Sequence, residues 1–289
     1  MSPSQKTLVK EVLIFSGITL LLTYGIGFTF FLMGTAAPLP AMTASMPIPA
    51  LVSFALYLVW KKPLFKKEND LGFRIPKISF LFTTPTVMFL LILSSCVISM
   101  LLSPALLRGK DEILNSLSKF ILNANPYLNL FLILLLNIFL APIINFPIFL
   151  GEELGWRGFL TPRLLKLTTP AVAFLLSGII WGLWHVFGIL MGHNYPGHPL
   201  LGTFMMILLC IPMGVILQYY FLKSGSIFIP MVAHGAINWT AVTLLSYFAN
   251  PEILDPLIFG PTGVIGIVIF WLVGLVYFKR YLNLQEEMN

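Results

Sequence analysis

Long apolar runs separated by short polar segments are the dominant pattern along this chain. A helix needs about 20 consecutive apolar residues to cross the hydrocarbon core of a membrane. Eight runs come close to this length, and none shows the strict alternation of a membrane barrel. They cover residues 13–33, 39–60, 80–102, 128–149, 170–190, 200–221, 227–248 and 263–278. The pattern predicts an all-α, polytopic membrane protein with about eight transmembrane helices.

Composition and charge support a membrane protein. The chain is 58% hydrophobic and 10% charged, whereas soluble domains are about 25% charged. Of the 17 Lys and Arg residues, all but Arg108, Lys110 and Lys119 fall on one side of an eight-span arrangement. This bias places both termini in the cytoplasm and is typical of a multi-pass protein of a bacterial cell membrane. The basic segment 61–67 therefore indicates topology and contact with the lipid bilayer, and not nucleic-acid binding.

The sequence predicts a single membrane domain over residues 1–289. Residues 1–127 are interpreted as scaffold helices, 128–248 as the catalytic core, and 249–289 as a C-terminal helix and tail. The first apolar run exceeds the usual length of a signal-peptide core, which favours a membrane anchor. Charges at helical spacing in 108–126 predict an amphipathic helix.

Two carboxylates and an arginine interrupt the apolar pattern in the segment GEELGWRGF, residues 151–159. Charged groups inside a membrane are costly and usually mark a functional cavity. Glu153 and Arg157 stand four residues apart in the order that favours an ion pair on a helix. Glu152 points about 100° away from Glu153. The spacing therefore predicts that Arg157 neutralises Glu153 and leaves Glu152 free as a general base.

Two further motifs carry histidines in later apolar runs. WGLWH ends at His185, four residues after Trp181, and HGAIN places His234 four residues before Asn238. A neutral His185 is suited to holding or activating a water, whereas His234 and Asn238 are suited to polarising a carbonyl and stabilising an oxyanion. Each residue alone is compatible with helix-to-helix hydrogen bonding. Their combination with Glu152 favours chemistry.

The remaining histidines and the prolines around the first motif carry separate expectations. The other two histidines, His193 and His198, fall in a Gly- and Pro-rich stretch that predicts a surface loop.

In straight helices, His185 and His234 would lie at different depths in the membrane. We therefore expect Pro142 and Pro147 to break the helix that precedes Glu152.

The metal requirement stays open at this stage. Glu152, His185 and His234 form a donor set that suits a divalent metal such as zinc. The chain has no HExxH motif, and each of these residues comes from a different apolar run. Activation of water by glutamate and histidine without a metal is equally compatible with the sequence.

Taken in order, the three motifs resemble those of the CAAX protease and bacteriocin-processing family, also called CPBP or Abi, which includes the Ras-converting CAAX prenyl endopeptidases. Glu152, Glu153 and Arg157 fit its EExxxR motif, and His185 fits a motif in which an aromatic residue precedes the histidine by four. His234 and Asn238 fit its HxxxN motif. Trp181 stands where the second motif often has Phe, and we expect this aromatic replacement to leave the chemistry untouched.

The resemblance implies an intramembrane endopeptidase with a polar cavity open toward the cytoplasm. Glu152 and His185 would activate a water for attack on a peptide bond, and His234 and Asn238 would stabilise the oxyanion. The substrate would be a membrane-associated protein or peptide, prenylated or not. Members are often labelled metalloproteases, although a glutamate-dependent mechanism is proposed for the eukaryotic relatives.

Two non-proteolytic functions compete with this hypothesis. One is a membrane scaffold that serves bacteriocin immunity or regulates a membrane partner. The other is a proton-coupled transporter, since intramembrane acids and histidines also relay protons. Intact motifs favour the enzyme over the scaffold, and the absence of a convincing internal repeat disfavours the transporter.

Overall fold

The structure is a computed structural model that describes residues 2–34, 38–61, 71–119 and 125–288. Within these ranges the chain is helical and forms no β-strand beyond one isolated bridge between Leu107 and Ala249. The all-α prediction is confirmed. Most of the basic segment 61–67 lies outside the described residues.

In the part of the chain that the structure describes, seven helical segments are long and apolar enough to cross a membrane. Five of them are single continuous helices: α1 (Pro3–Leu32), α4 (Ile78–Leu102), α12 (Pro199–Ser224), α13 (Phe228–Phe248) and α14 (Val264–Met288). The other two are composite and cover Pro38–Val59 and Pro126–Ile144. The protein is therefore a multi-pass integral membrane protein, as its apolar pattern predicts.

The second apolar run is helical from its beginning but is interrupted near its middle. It consists of α2 (Pro38–Ser45) and α3 (Ile48–Val59), with Pro47 between them. A proline removes one backbone donor and crowds the preceding turn, which explains the break. The backbone at Pro47 packs closely against the segment that carries the first motif. A Cβ on Gly151 would lie only 2.7 Å from Pro47 Cα.

The predicted break before the first motif lies between the two prolines, at Asn145. Upstream of it lie α6 (Pro126–Leu135), a π-helical turn (Leu136–Leu140) and α7 (Ala141–Ile144). Downstream lie α8 (Phe146–Glu153), a π-helical segment (Leu154–Leu160) and α9 (Thr161–Leu167). The motif thus has its own helical unit with a widened turn, a feature that is frequent at functional sites.

The fifth predicted run is not one continuous helix. It divides into α10 (Pro170–Trp184) and α11 (Val186–Leu190), and the histidine of the second motif is the junction. Between residues 103 and 125, a short 3₁₀ turn (Pro104–Leu106) precedes α5 (Lys110–Ser118), where an amphipathic helix is predicted. Asp111 and Glu112 lie in the first turn of α5, where acidic groups are favoured by the helix dipole.

Small residues let the helices around the first motif approach closely. A Cβ on Gly178 or Gly182 of α10 would come within 2.6 Å of the backbone of Ile211 or Ile207 of α12. Gly235 of α13 meets Pro142 in the same way. Such contacts are characteristic of helix packing inside membranes, where close van der Waals contact replaces the hydrophobic effect.

A buried ion pair ties α1 to α9 at some distance from the motifs. Arg163 Nε donates to Glu11 Oε2 at 2.7 Å, and the two side chains are 7% and 3% exposed. The guanidinium also donates to the backbone carbonyl of Phe159 and lies 3.5 Å from the centroid of its ring. We refer to Glu11 and Arg163 as the closed pair.

Candidate active site

The three motifs meet around one cavity of about 200 Å³. Its lining includes Glu152, Trp181, His185, His234 and Asn238. Glu153 and Arg157 lie directly behind this lining and are 0% and 2% exposed. All seven residues singled out from the sequence therefore lie together.

Glu152 is held by two tryptophans from different helical units. Trp156 Nε1–H donates to Glu152 Oε2 at 3.2 Å, and Trp181 Nε1–H donates to the same oxygen at 2.9 Å. The glutamate is 1% exposed, so its carboxylate is largely shielded from bulk solvent. Because both bonds end on Oε2, neither engages Oε1. The arrangement fixes the rotamer of the carboxylate and leaves one oxygen for a reacting partner.

Trp181 contributes a hydrogen bond as well as an aromatic ring, which distinguishes it from the Phe that often stands in the second motif. Its N–H binds Glu152, while the face of its ring lies 4.1 Å from the guanidinium carbon of Arg157. Its ring also makes an edge contact with His234, with the centroids 5.5 Å apart. A phenyl ring in this position keeps a face for the cation but has no N–H for the carboxylate.

The predicted pairing of Glu153 and Arg157 is present, and it includes a third member. Arg157 Nη1 donates to Glu153 Oε1 at 3.1 Å, and His234 Nδ1 lies 2.8 Å from the same oxygen. A carboxylate only accepts, so Nδ1 carries the proton of this hydrogen bond. Glu153 therefore orients the His234 ring and leaves its Nε2 for the cavity. We refer to Glu152, Glu153, Arg157 and His234 as the open cluster.

The contacts of His185 assign its tautomer. Nδ1 lies 2.9 Å from the backbone carbonyl oxygen of Trp181. Because a carbonyl can only accept, Nδ1 carries a proton, and in the neutral ring Nε2 is an acceptor. The indole of Trp184 packs edge-on against the imidazole, with ring centroids 4.8 Å apart. His185 is thus suited to accept a hydrogen bond from a water, as its apolar surroundings predict.

Two residues of the cavity differ in accessibility from the buried cluster. Asn238 lies one helical turn beyond His234 and is exposed. His193, which the sequence places in a surface loop, lines the cavity as well. Burial lowers the pKa of His193 to about 4, so its imidazole is neutral at pH 7. For His198 the surface-loop prediction is correct, because this residue is exposed.

The proposed metal ligands do not form a metal site as they are placed. In the described parts of the chain, no group of three or more His, Cys, Asp or Glu side chains is arranged to hold a metal ion. Glu152 Oε2 accepts hydrogen bonds from two indole N–H groups, and these bonds occupy an oxygen that a metal ligand would direct at the ion. We therefore derive no chemical step through a metal.

Sequence reasoning missed Trp156 and the methionines of the cavity wall. Trp156 lies four residues after Glu152, so the same spacing rule that pairs Glu153 with Arg157 would have placed it on the face of Glu152. The wall contains four methionines, Met42, Met46, Met206 and Met213. Met42 and Met46 belong to the second apolar run, whereas Met206 and Met213 belong to α12, and no local sequence pattern predicts that these two segments meet.

Comparison with known proteins supports the resemblance carried by the motifs. Residues 127–240 match the family described as Type II CAAX prenyl endopeptidase Rce1-like. This range contains all seven residues of the three motifs. A curated protein of Methanococcus maripaludis, named CAAX prenyl protease 2, is 32% identical to this chain over 125 residues. That alignment covers 40% of this chain and 42% of the relative, so the match spans less than half of the relative's length.

The matched range begins in α6 and ends within α13, and it includes both tryptophans that bind Glu152. The resemblance predicted from the three motifs is therefore confirmed: the segment that carries them is similar to the Rce1-like CAAX prenyl endopeptidase family.

Proposed function

We propose that this protein is an intramembrane endopeptidase that hydrolyses a peptide bond of a membrane-associated protein or peptide. The observation that carries this proposal is the convergence of one carboxylate oxygen of Glu152 with the imidazoles of His185 and His234 on a single cavity. A base, a water-orienting group and an oxyanion donor are the parts that amide hydrolysis requires.

The first step is activation of a water between Glu152 and His185. The free Oε1 of Glu152 accepts one water proton, and Nε2 of His185 accepts a hydrogen bond from the other O–H. The water oxygen is then directed at the carbonyl carbon of the scissile bond. As the C–O bond forms, Glu152 takes up the proton, and it returns this proton to the leaving amine when the C–N bond breaks.

The second requirement is stabilisation of the negative charge on the carbonyl oxygen. The donors that we assign to it are the amide group of Asn238 and the ring of His234, whose Nε2 can donate once both ring nitrogens carry a proton.

Trp156 and Trp181 act as positioning residues in this mechanism. A carboxylate with free rotation would spend part of its time out of reach of the water, and misplacement by about 1 Å is enough to slow a reaction strongly. Two indole N–H groups on one oxygen hold the carboxylate in one rotamer and direct the other oxygen at the water.

The test is cleavage of a membrane-peptide library by the purified protein in nanodiscs. The variants are Glu152→Gln and His234→Ala, with Glu112→Gln of α5 as a matched control, since this glutamate is exposed and far from the cavity. We expect cleavage by the wild type and the control and none by the other two. The library contains the same peptides with and without a prenyl group, so that the dependence on lipidation is measured directly.

A chelator arm in the same assay decides the metal requirement. Cleavage that survives chelation supports the glutamate and histidine mechanism, and cleavage that is lost and then restored by zinc assigns a metal to it. If wild type and variants alike leave the whole library intact, while Glu152→Gln still removes the cellular phenotype, the endopeptidase proposal is wrong and a scaffold role replaces it.

A further inference from the structure

The two ends of the helix bundle differ in charge, and contacts between described residues show which segments share an end. α10 begins beside the last turns of α14, where Phe174 contacts Tyr281. Ser226, just before α13, donates to the backbone carbonyl of Arg74. α1 begins and α14 ends at this end of the bundle. We call it the basic end, because most of the described Lys and Arg residues belong to the segments that meet there.

The opposite end is formed by the other set of connections. Arg108 N donates to the carbonyl of Phe248 at the end of α13. Tyr195, in the turn before α12, donates to the carbonyl of Thr262 just before α14. Both contacts bring loop segments together at the end where α4 and α13 terminate. We call this the loop end.

The cavity opens at the loop end. Its buried floor includes Glu152, Trp181 and His234, which are 1%, 2% and 3% exposed. Its exposed lining residues are Leu39 and Thr43 of α2, Asn194 of the turn before α12, and Asn238 and Val242 of the last three turns of α13. All five lie in the half of the bundle that ends at the loop end. The mouth and the two chain termini are therefore at opposite ends.

Two expectations from the sequence are incompatible in this fold. The resemblance implies a cavity open toward the cytoplasm, and the charge distribution implies that both termini are cytoplasmic. Among the Lys and Arg residues that the structure describes, only Arg108, Lys110 and Lys119 belong to connections at the loop end. Two on the other side, Arg157 and Arg163, are buried, but removing them from the count leaves the bias intact. The positive-inside rule therefore assigns the basic end to the cytoplasm.

We infer that the mouth of this cavity faces the extracytoplasmic side of the membrane and admits an apolar peptide segment presented from that side. This inference rests on the proposed function for its substrate, but not for the direction of the mouth. Apart from Glu152, no Asp, Glu, Lys or Arg is among the described residues that line the cavity. The four wall methionines, Met42, Met46, Met206 and Met213, are flexible and polarizable, as in surfaces that accept varied apolar side chains.

The direction of the mouth is tested by cysteine accessibility in sealed spheroplasts with a membrane-impermeant maleimide. The wild type supplies the background, because Cys96 and Cys210 are both buried. His198→Cys and Thr43→Cys report on the loop end, and Glu287→Cys reports on the basic end; all three positions are exposed. We expect the first two to be labelled in sealed spheroplasts and Glu287→Cys only after permeabilisation. The reverse pattern, or equal labelling of both ends, overturns the inference.

The choice of substrate is tested with two single-span reporter proteins that carry the same apolar target segment. One reporter places the segment at the extracytoplasmic edge of the membrane, and the other places it at the cytoplasmic edge. We expect cleavage of the first to be at least about tenfold faster, and faster cleavage of the second contradicts the inference. If neither reporter is cleaved while the thiols still report an outward mouth, the proposed function fails and the orientation stands.

Discussion

The closed pair and the open cluster are both buried charges in a protein with few charges, yet they differ in what they leave available. Arg163 lies against Glu11, the carbonyl of Phe159 and an aromatic ring, and neither charged residue lines the cavity. In the open cluster, Glu152 and His234 both reach the cavity surface. Burial of a charge therefore does not by itself indicate a functional site, whereas a buried charge with an atom directed into a cavity marks a candidate for one.

The open cluster also contains the less completely bonded groups. Glu153 Oε2 and Arg157 Nη2 are buried and have no hydrogen-bond partner among the described residues. Such groups are costly in a low-dielectric interior. The closed pair stabilises contact between α1 and α9, whereas the open cluster holds a set of groups whose arrangement favours chemistry over stability.

The largest expected effect is the loss of catalytic activity when a glutamate of the open cluster, rather than one of the closed pair, is replaced. Glu152→Gln keeps the size of the side chain but removes the proton acceptor, and loss of a general base costs about 10²–10⁴-fold in rate. We expect a fall in kcat of about 10³-fold with an unchanged apparent melting temperature in detergent micelles. Glu11→Gln should leave the activity of the folded protein near that of the wild type. Equal loss of activity in both variants would show that the distinction is wrong.

The second prediction separates them by stability. Removing one partner of a buried ion pair costs about 3–5 kcal/mol, whereas replacing both partners by apolar residues is often neutral. Glu11→Leu alone should lower the apparent melting temperature strongly, and the double variant Glu11→Leu with Arg163→Met should recover most of the loss together with activity.

A matched double variant of the open cluster provides the contrast. Compared with Glu153→Leu alone, the double variant Glu153→Leu with Arg157→Met should have a higher apparent melting temperature. It should remain inactive, because His234 then lacks the carboxylate that orients its ring. Thermal unfolding followed by Trp fluorescence gives the stability, and peptide cleavage gives the activity. Recovery of activity in this second pair would remove Glu153 from the mechanism.

A smaller effect is expected for the tryptophans that position Glu152. Trp181→Phe keeps an aromatic face for Arg157 but loses a hydrogen bond to a charged group, which is worth about 1.5–3 kcal/mol. We expect kcat to fall by about 10–100-fold with little change in KM. Trp156→Phe, whose bond is longer at 3.2 Å, should have the smaller effect of the two.

Trp271 supplies the control for these variants. Its Nε1–H donates to the carbonyl of Leu208 at 2.9 Å, and Trp271 does not line the cavity. Trp271→Phe therefore loses an indole hydrogen bond of the same length as that of Trp181 without touching Glu152. A kcat for Trp181→Phe equal to that of Trp271→Phe would argue against the positioning role.

The smallest effect concerns His193 at the edge of the cavity. Burial lowers its pKa to about 4, below the value of about 6.5 expected in an unfolded chain. As the pH falls from about 6.5 to 4, the unfolded state takes up this proton first, so the folded state loses stability over that range. The melting temperature of His193→Gln should therefore fall less than that of the wild type between pH 7 and pH 4.5. Parallel curves would indicate that the native imidazole titrates normally.

Local spacing was sufficient to predict a large part of this site. The i to i+4 relation correctly predicted the ion pair of Glu153 with Arg157, and the prolines correctly placed a break before the first motif. The length of the apolar runs predicted the membrane-spanning helices, because bilayer thickness sets the number of residues that a helix needs. These features follow from geometry within one helix, so the sequence alone contains them.

Other features depended on contacts between distant segments. The hydrogen bond of His234 to Glu153 joins residues 81 positions apart, and that of Trp181 to Glu152 joins residues 29 positions apart. No helical periodicity specifies such pairs, since they depend on how α8, α10 and α13 pack. The sequence by itself determined the membrane-spanning pattern, the charge bias and the chemical groups. Only the tertiary structure decided which oxygen of Glu152 is held, which imidazole atoms reach the cavity, and at which end of the bundle that cavity opens.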